Sequence, residues 1–393
     1  MPFILPPALL ETDEIILVQA FGRLSVLEAC TVLGRSVLQA EAPSERVSVL
    51  HVDQLPVERI PELSGVHKCA PLLSAVDSPT GDLKALINVM LNHLNDKSNV
   101  SLSGYDVATD DYEVLVRAML DGIREEGLTK VRLLRPEGNE LLSERVLTRE
   151  AFDVIAFPYH SGFGLGPTVW VPDSASMRQR GIRRPVPHSD IALSPRLART
   201  LVNIADLRAG QTVLDPFCGS GTILIEAYAK SLRCLGLDSR ASRVQEAREN
   251  LRWSAGGVAE RGYDIRKGDA RELHRMLRGT KVDAIVTEPV LLPRLDARPK
   301  TSTAQAMIEE SANVYNDALA SMAESIHPDG RIVVVVPVIQ TMDGDEVTMT
   351  LEGRKLGLRL YQPGPVGFEY PVRLSFESTR WIKRAVYAFE PRS

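Results

Sequence analysis

The sequence predicts an α/β protein: a doubly wound parallel sheet forms its larger, C-terminal part, and a smaller α/β layer its N-terminal part. Three observations lead there. From Ser194 onward seven short apolar runs recur, and helical patterns separate the first five. Residues 212–228, TVLDPFCGSGTILIEAY, join an apolar strand to an apolar helix through a glycine-bearing turn. Ahead of them, from Asp13, short β-rich runs alternate with amphipathic helical ones.

The N-terminal part reads in order as strand EIILVQAF, helix RLSVLEACTVLG and strand VSVLHV. A loop rich in Pro and Ser follows. Then come helix DLKALINVMLNHL, strand NVSLSGYDV, helix DYEVLVRAMLDGIREEGL and strand KVRLLRP. The first domain is placed at 1–158. Residues 159–187 are rich in Gly, Pro and Arg and are expected to be a linker. Gly162-Phe163-Gly164-Leu165-Gly166 within them opens no helix, which argues against a ligand loop. The second domain is placed at 188–393. Helix SPRLARTLVNIADL leads into strands TVLD, RCLGLD, YDIRKGD, VDAIVTE, RIVVVVP, GLRLYQ and WIKRAVYAFE. The last two lack an obvious helix between them, so an antiparallel edge hairpin is expected.

Composition excludes several classes. Hydrophobic content of 44% and charged content of 25% are those of a globular protein. The apolar run Ile332–Pro337 is far too short to cross a bilayer, so no membrane partner is expected. The start, MPFILPPALLETDE, lacks the basic segment of a secretory signal. Cys30, Cys69, Cys218 and Cys234 are scattered, with no C-x-x-C. No metal site and no disulfide framework are therefore expected, and a reducing cytoplasm fits. Residues 1–150 carry a net charge of −9 and residues 151–393 a net +4. A phosphate-binding surface should be locally basic, so nucleic-acid contact is expected from the C-terminal part.

The turn after TVLD carries the chemistry. Asp215 ends the strand, and Pro216, Phe217, Gly219, Gly221 and Thr222 lead into the helix. Glycine lets the backbone approach a ligand, and amides at a helix start favour negative charge. The loop is neither G-x-G-x-x-G nor a G-K-[ST] phosphate loop. An acid at the strand tip followed by this turn suits a ligand with a cationic methionine end, S-adenosylmethionine (SAM). Asp215 is expected to face its amine. Asp238 ends the second strand, 23 residues on, and suits the ribose hydroxyls. Asp269 ends the third and can accept from the adenine amine. Either could instead cap a helix, since Asp is common there.

The fourth strand ends VDAIVTEPVLLP. An aryl amine is a poor nucleophile because its lone pair is delocalised into the ring. Acceptors on its N–H bonds localise that pair and receive the charge that develops. Glu288 supplies a carboxylate acceptor there, and the Pro289 carbonyl supplies another. Val290 and Leu291 follow, so an aromatic surface for the base must come from elsewhere. A strand-ending Glu-Pro turn is the plain alternative. Upstream, Arg178, Arg180, Arg183 and Arg184 fall within seven residues. Arginine suits phosphate, so they are expected to bind RNA; a docking strap between domains is the alternative.

DPFCGSGTILIEA, the preceding SMRQRGIRRPVP and SPRLARTLVNIA, and TEP after the fourth strand resemble the archaeal and eukaryal tRNA (guanosine-10-N2)-methyltransferases, within a broader RNA methylase family. The match is specific over about 175–290. ILVQAFGRLSVLEACTVLG, and NVSLSGYDV through KVRLLRP, resemble more faintly the family's N-terminal THUMP module. The resemblance implies a Rossmann-like, seven-stranded SAM-dependent methyltransferase domain behind a THUMP-like RNA-positioning region. It implies methylation of the exocyclic N2 amine of a guanosine in tRNA, with catalysis at Glu288 and Pro289, which stand where the family carries D-P-P-Y. It also implies, from eukaryal relatives, a small zinc-containing activator subunit as a partner. The residues by themselves leave open a DNA amino-methyltransferase acting on adenine N6 or cytosine N4, and a non-catalytic SAM-binding scaffold.

Overall fold

A computed structural model describes residues 12–54, 56–187, 193–257, 262–289, 292, 295–375 and 381–392. The chain divides into two compact units, Met1–Ala175 with Pro363–Val366, and Ser176–Gln362 with Gly367–Ser393.

The first unit holds two sheets. β1 (Glu14–Gln19), α1 (Arg23–Leu33), β2 (Val37–Glu41), β3 (Val47–Val52) and β4 (Val66–Pro71) give an antiparallel sheet in the order β2-β3-β1-β4. β1 is central because Ile15, Ile16, Leu17 and Val18 are buried on both faces. β5 (Ser74–Val76), α2 (Lys84–Leu91), β6 (Asn99–Gly104), α3 (Thr109–Glu125), β7 (Arg132–Leu133), α4 (Ser143–Leu147), β8 (Phe152–Tyr159) and β9 (Gly162–Pro167) follow. Their strands are ordered β5-β9-β8-β6-β7. α3 buries Tyr112, Leu115, Val116, Met119 and Ile123, the three-and-four spacing of one helix face.

Two expectations change here. β2, β4, β5, β8 and β9 were not read from the sequence, partly because polar residues sit in their interiors. In β4, Lys68 is fully buried, and its Nζ donates to Asp153 Oδ2 at 2.8 Å and Ser103 Oγ at 2.7 Å. The 159–187 segment is not a plain linker either. Its first residue ends β8, and Gly162–Pro167 pair antiparallel with Tyr159–Val154. The glycines there permit close packing: a Cβ on Gly162 would strike the Val76 carbonyl, and one on Gly166 that of Pro71. α5 (Ser174–Ile182) comes next and spans the division between the units.

The second unit is the doubly wound sheet. α6 (Pro195–Ile204) starts with Pro at its first turn, and Leu197 N donates to the Ser194 cap at 3.2 Å. β10 (Thr212–Asp215), α7 (Thr222–Tyr228), β11 (Arg233–Asp238), α8 (Ala241–Ser254), β12 (Tyr263–Lys267), α9 (Leu273–Met276), β13 (Val282–Thr287), α10 (Thr301–Ser325) and β14 (Ile326–Gln340) alternate as expected. β15 (Glu346–Thr348), β16 (Leu358–Leu360), β17 (Val372–Arg373) and β18 (Ile382–Pro391) complete it. The order is β12-β11-β10-β13-β14-β18-β16. β10 to β14 run parallel, and β18 is antiparallel to both its neighbours. The last two predicted strands pair antiparallel at the edge of the sheet as expected, with β18 against β14 and β16 outermost in the strand order. Ile332–Ile339 face Phe389–Ile382 along that junction. A continuous Ile/Val run suits β14 because a central strand is covered on both faces. The short β15 and β17 raise the sheet from seven strands to nine. The chain order reverses between β10 and β13, which opens the switch-point crevice at their carboxyl ends.

Candidate active site

Asp215 closes β10 at this switch point and is 2% exposed. Thr287 Oγ1, at the end of neighbouring β13, donates to Asp215 Oδ1 at 2.7 Å, and Phe217 N donates to the same oxygen at 3.1 Å. Burial pushes the Asp215 carboxyl up to about 7, and the charges of Asp238 and Glu288 push the same way against those two hydrogen bonds. The crevice thus gathers three acids, one of them poised near neutrality. Such a cluster favours a cation.

The turn itself is held from below. Pro216 is buried and Phe217 half-buried. Cys218 N donates to Leu237 O at 2.8 Å, and Gly219 N to Asp238 Oδ2 at 3.1 Å. Arg240 N occupies Asp238 Oδ1 at 2.9 Å. Asp238 therefore clasps the turn to β11 besides standing at that strand's tip. Gly219 has φ +52°, and a Cβ built on it would meet no protein atom within 4 Å. The turn therefore leaves room for a ligand directly above its backbone. Gly221 caps α7 in the left-handed region, with φ +86°, and Thr222 begins the helix. The Cys218 thiol is raised by burial and then by Asp215 and Asp238, so it stays protonated and is no nucleophile.

Asp269 follows Gly268, whose N donates to Asp238 O at 3.1 Å, so the third acid neighbours the second. Its carboxylate is turned to Arg271. It caps a short 3₁₀ turn through Arg271 N at 2.9 Å and pairs with the Arg271 guanidinium at 2.6 Å. The capping alternative is therefore realised, and any cofactor contact by Asp269 shares its carboxylate with that arginine.

The arginine cluster splits. Arg178 and Arg183 are exposed. Arg180 instead forks onto Glu226, Nε to Oε1 at 2.7 Å and Nη2 to Oε2 at 2.9 Å, and Arg199 Nε reaches Oε2 at 3.0 Å. Glu226 is completely buried. Arg184 is 3% exposed, and its Nη1 donates to Thr222 Oγ1 at 2.8 Å. An arginine committed to a buried carboxylate, or itself buried, is not displayed to phosphate. The RNA-binding expectation is therefore corrected for Arg180 and Arg184. They strap residues 180–186 across the 216–222 turn, where buried Asn250 accepts from Val186 N at 2.9 Å and donates to Ser220 O at 2.9 Å.

Glu288 follows β13 directly, then Pro289; Val290 and Leu291 lie outside the described residues. Glu288 meets a residue that no local pattern announced. Arg384 Nε, on β18, donates to Glu288 Oε1 at 2.6 Å, and the two side chains are 10% and 12% exposed. Tyr315, on α10, is buried, and its hydroxyl is raised by burial and then by the charge of Glu288. The geometry couples acceptor and turn: Glu288 adjoins Thr287, which holds Asp215. Thr287 was visible as the first residue of TEP. Arg384 lies 96 residues further on and had no signal.

The four cysteines are free and buried, and no metal-binding cluster of His, Cys, Asp and Glu occurs among the described residues. No helix among them is long and apolar enough to cross a membrane.

Comparison with known proteins follows the same lines. The RMKL-like methyltransferase domain (UPF0020) matches residues 182–344. The tRNA (guanine(10)-N2)-dimethyltransferase of Methanothermobacter thermautotrophicus is 36% identical over 146 residues, 37% of this chain and 39% of that protein. The chain thus matches well under half of that relative's length. A probable tRNA (guanine(10)-N2)-dimethyltransferase of Methanothermococcus thermolithotrophicus is 33% identical over 127 residues, 32% of this chain and 73% of its own length. Among solved structures, TrmN from Thermus thermophilus aligns over 96% of this chain and 99% of its own, with TM-score 0.52 and 20% identity, which speaks to fold. These matches lie on either side of the 216–222 turn, and the chain belongs to the RMKL-like family of SAM-dependent methyltransferases that includes the tRNA (guanine(10)-N2)-dimethyltransferases.

Proposed function

We propose that the protein methylates the exocyclic N2 amine of a guanosine in tRNA. The observation that carries this reading is the placement of Glu288. It is a carboxylate acceptor at the end of β13, joined through Thr287 to the acid that faces the cofactor. SAM, when bound, supplies an electrophilic methyl group. Asp215 holds its amine, and Asp238 and Asp269 serve its ribose and adenine sides. Pro216, Phe217, Gly219, Gly221 and Thr222 shape the turn against it. Glu288 and the Pro289 carbonyl accept the N–H bonds of the target amine, localise its lone pair and aim it. Glu288 then takes up the positive charge that develops as nitrogen gains the methyl group, and the displaced proton leaves through it to solvent.

Isotope transfer from labelled SAM to bulk tRNA, ribosomal RNA and DNA tests the reading. Labelled N2-methylguanosine in the tRNA digest is the expected result. Label confined to DNA would make this a DNA amino-methyltransferase, and label in no nucleic acid would make it a scaffold. Assaying the isolated chain also decides the activator subunit: turnover by the chain alone dispenses with it. The cytoplasm, where tRNA is met, is the proposed compartment.

RNA is held in part by the exposed Arg178 and Arg183. Replacing both by Gln is expected to weaken tRNA binding and to flatten its salt dependence by about 0.7–0.9 per lost phosphate contact. An unchanged slope in filter binding would leave these arginines outside the interface.

Cofactor affinity should depend on pH through Asp215. Its folded carboxyl titrates at about 7, above the unfolded value of about 3.9. The folded state therefore holds the proton more tightly, so stability without cofactor falls as pH rises from about 4 to about 7. A cationic amine prefers the ionised form, so SAM binding below pH 7 must release a proton. Affinity is expected to rise between pH 6 and 7.5, by at most about tenfold per unit, and Asp215→Asn should abolish the rise. Calorimetry showing equal affinity across that range in the wild type would remove Asp215 from the amine site.

A further inference from the structure

The crevice gathers acids, yet the methionine end of SAM is not a simple cation. It carries a carboxylate beside its amine. Asp215, Asp238 and Glu288 attract the amine and repel that carboxylate, so the site calls for a positive group near the turn. Two arginines around the crevice lean on its acids, Arg384 on Glu288 and Arg271 on Asp269. Arg184 hydrogen-bonds no acid. Its side chain is 3% exposed, and its Nη1 donates to Thr222 Oγ1 at 2.8 Å. Its Nε and Nη2 are buried without a hydrogen-bond partner. Leaving a buried donor unsatisfied is costly, and more so on a charged group. Burial lowers the guanidinium pKa, and Glu246 opposes the shift by its charge; Oε2 of Glu246 accepts from Arg243 Nη1 at 2.6 Å. A buried cation kept in this state is suited to an anion that arrives with the ligand. Thr222, which closes the turn and is 9% exposed, links the two. Accepting from Arg184 leaves the hydroxyl its own proton to donate.

We propose that Thr222 and Arg184 form the receptor for the carboxylate of SAM: the Thr222 hydroxyl donates to it, and Arg184, behind, orients that hydroxyl and supplies the opposite charge. This rests on the reading of the 216–222 turn as the SAM site and adds the residues that recognise the second half of the methionine end. Arg184 acts as a positioning residue and needs no path to solvent, because a charge works through the low-dielectric interior. The hydrogen bond from Thr222 ends on an ionised acceptor, which makes it about twice as strong as a neutral one. The receptor also gives the site a way to refuse ligands that carry only the amine. Acids alone would favour them, and a site built to bond a polar group rejects analogues that lack it.

Calorimetry with SAM and with decarboxylated SAM tests this without any turnover. The decarboxylated compound keeps the sulfonium and the amine and has a higher net positive charge, so a crevice of acids alone would bind it more tightly. The wild type is expected to prefer SAM. Arg184→Met should cut that preference on the order of 10–100-fold, by weakening SAM while decarboxylated SAM changes little. Thr222→Val should shift it in the same direction, and Thr222→Ser, which keeps the hydroxyl, should retain it. The thermal midpoint of each variant shows whether the unit stays folded. If Arg184→Met folds and weakens both ligands equally, Arg184 only holds the turn and the proposal fails. If Arg184→Met does not fold, an unchanged preference in Thr222→Val overturns it instead. A wild type that binds decarboxylated SAM as tightly as SAM overturns it outright. A wild type that binds neither compound overturns the SAM site beneath it, and the two failures are thereby told apart.

Discussion

Replacing Glu288 by Gln is expected to slow single-turnover methyl transfer on the order of 10²–10³-fold, the usual cost of losing one positioned charge acceptor. The amide keeps the shape and one acceptor but no longer compensates the charge that develops on the target nitrogen. It also removes the negative charge that Arg384, 2.6 Å away and 10% exposed, meets on Glu288. A positive guanidinium then faces a nitrogen becoming positive, which places the loss at the upper end of that range. SAM affinity should change little, because the amide keeps the side chain's shape and Thr287 still donates to Asp215. Glu288→Asp should also lose rate. The side chain is one methylene shorter, so it reaches less far toward the base and draws away from Arg384. Rapid-quench assays at saturating SAM and RNA decide the matter, and full activity in the Gln variant would remove Glu288 from the mechanism.

The second large effect concerns stability. Glu226 is wholly buried beneath Arg180 and Arg199, which engage both its oxygens. Glu226→Ala leaves two guanidinium groups facing each other with no carboxylate between them. Breaking a buried ion pair from one side costs about 3–5 kcal/mol. Arg180 and Arg199 keep 24% and 14% exposure, which lets solvent screen them and sets the expectation near about 3 kcal/mol. For a unit of this size that lowers the thermal midpoint by roughly 6–12 °C. Because Arg180 anchors the strap over the 216–222 turn, the proposed SAM site, SAM affinity should fall as well. Urea unfolding that shows less than about 1 kcal/mol of loss would reduce the trio to a surface pairing.

Much of this protein was legible because local chemistry announces it. The alternation of β10 to β14 with helices appears as period-2 and period-3.6 patterns within short windows. Asp215 and the 216–222 turn are contiguous in the sequence. Asp215, Gly219 and Asp238 meet in the crevice as their positions at strand ends require. β9 was misread for the opposite reason: its glycines look like a linker, and only the backbones of Val76 and Pro71 explain why nothing larger fits. β4 was missed because a strand containing Lys68 does not look buried until Asp153, 85 residues away, arrives beside it.

The arginines draw the line most sharply. By itself the sequence determined that four of them crowd ahead of the methyltransferase sheet, that Asp215 and Asp238 end two of its strands, and that Glu288 follows a third. Only the tertiary structure decided that Arg180 and Arg184 face inward to Glu226 and Thr222 while Arg178 and Arg183 are exposed, and that Arg384, 96 residues on, stands against Glu288. Composition and spacing report which charges exist. Whether a charge is solvated, paired or desolvated depends on the distance to groups far along the chain, and that distance is set when the sheet closes β18 against β14.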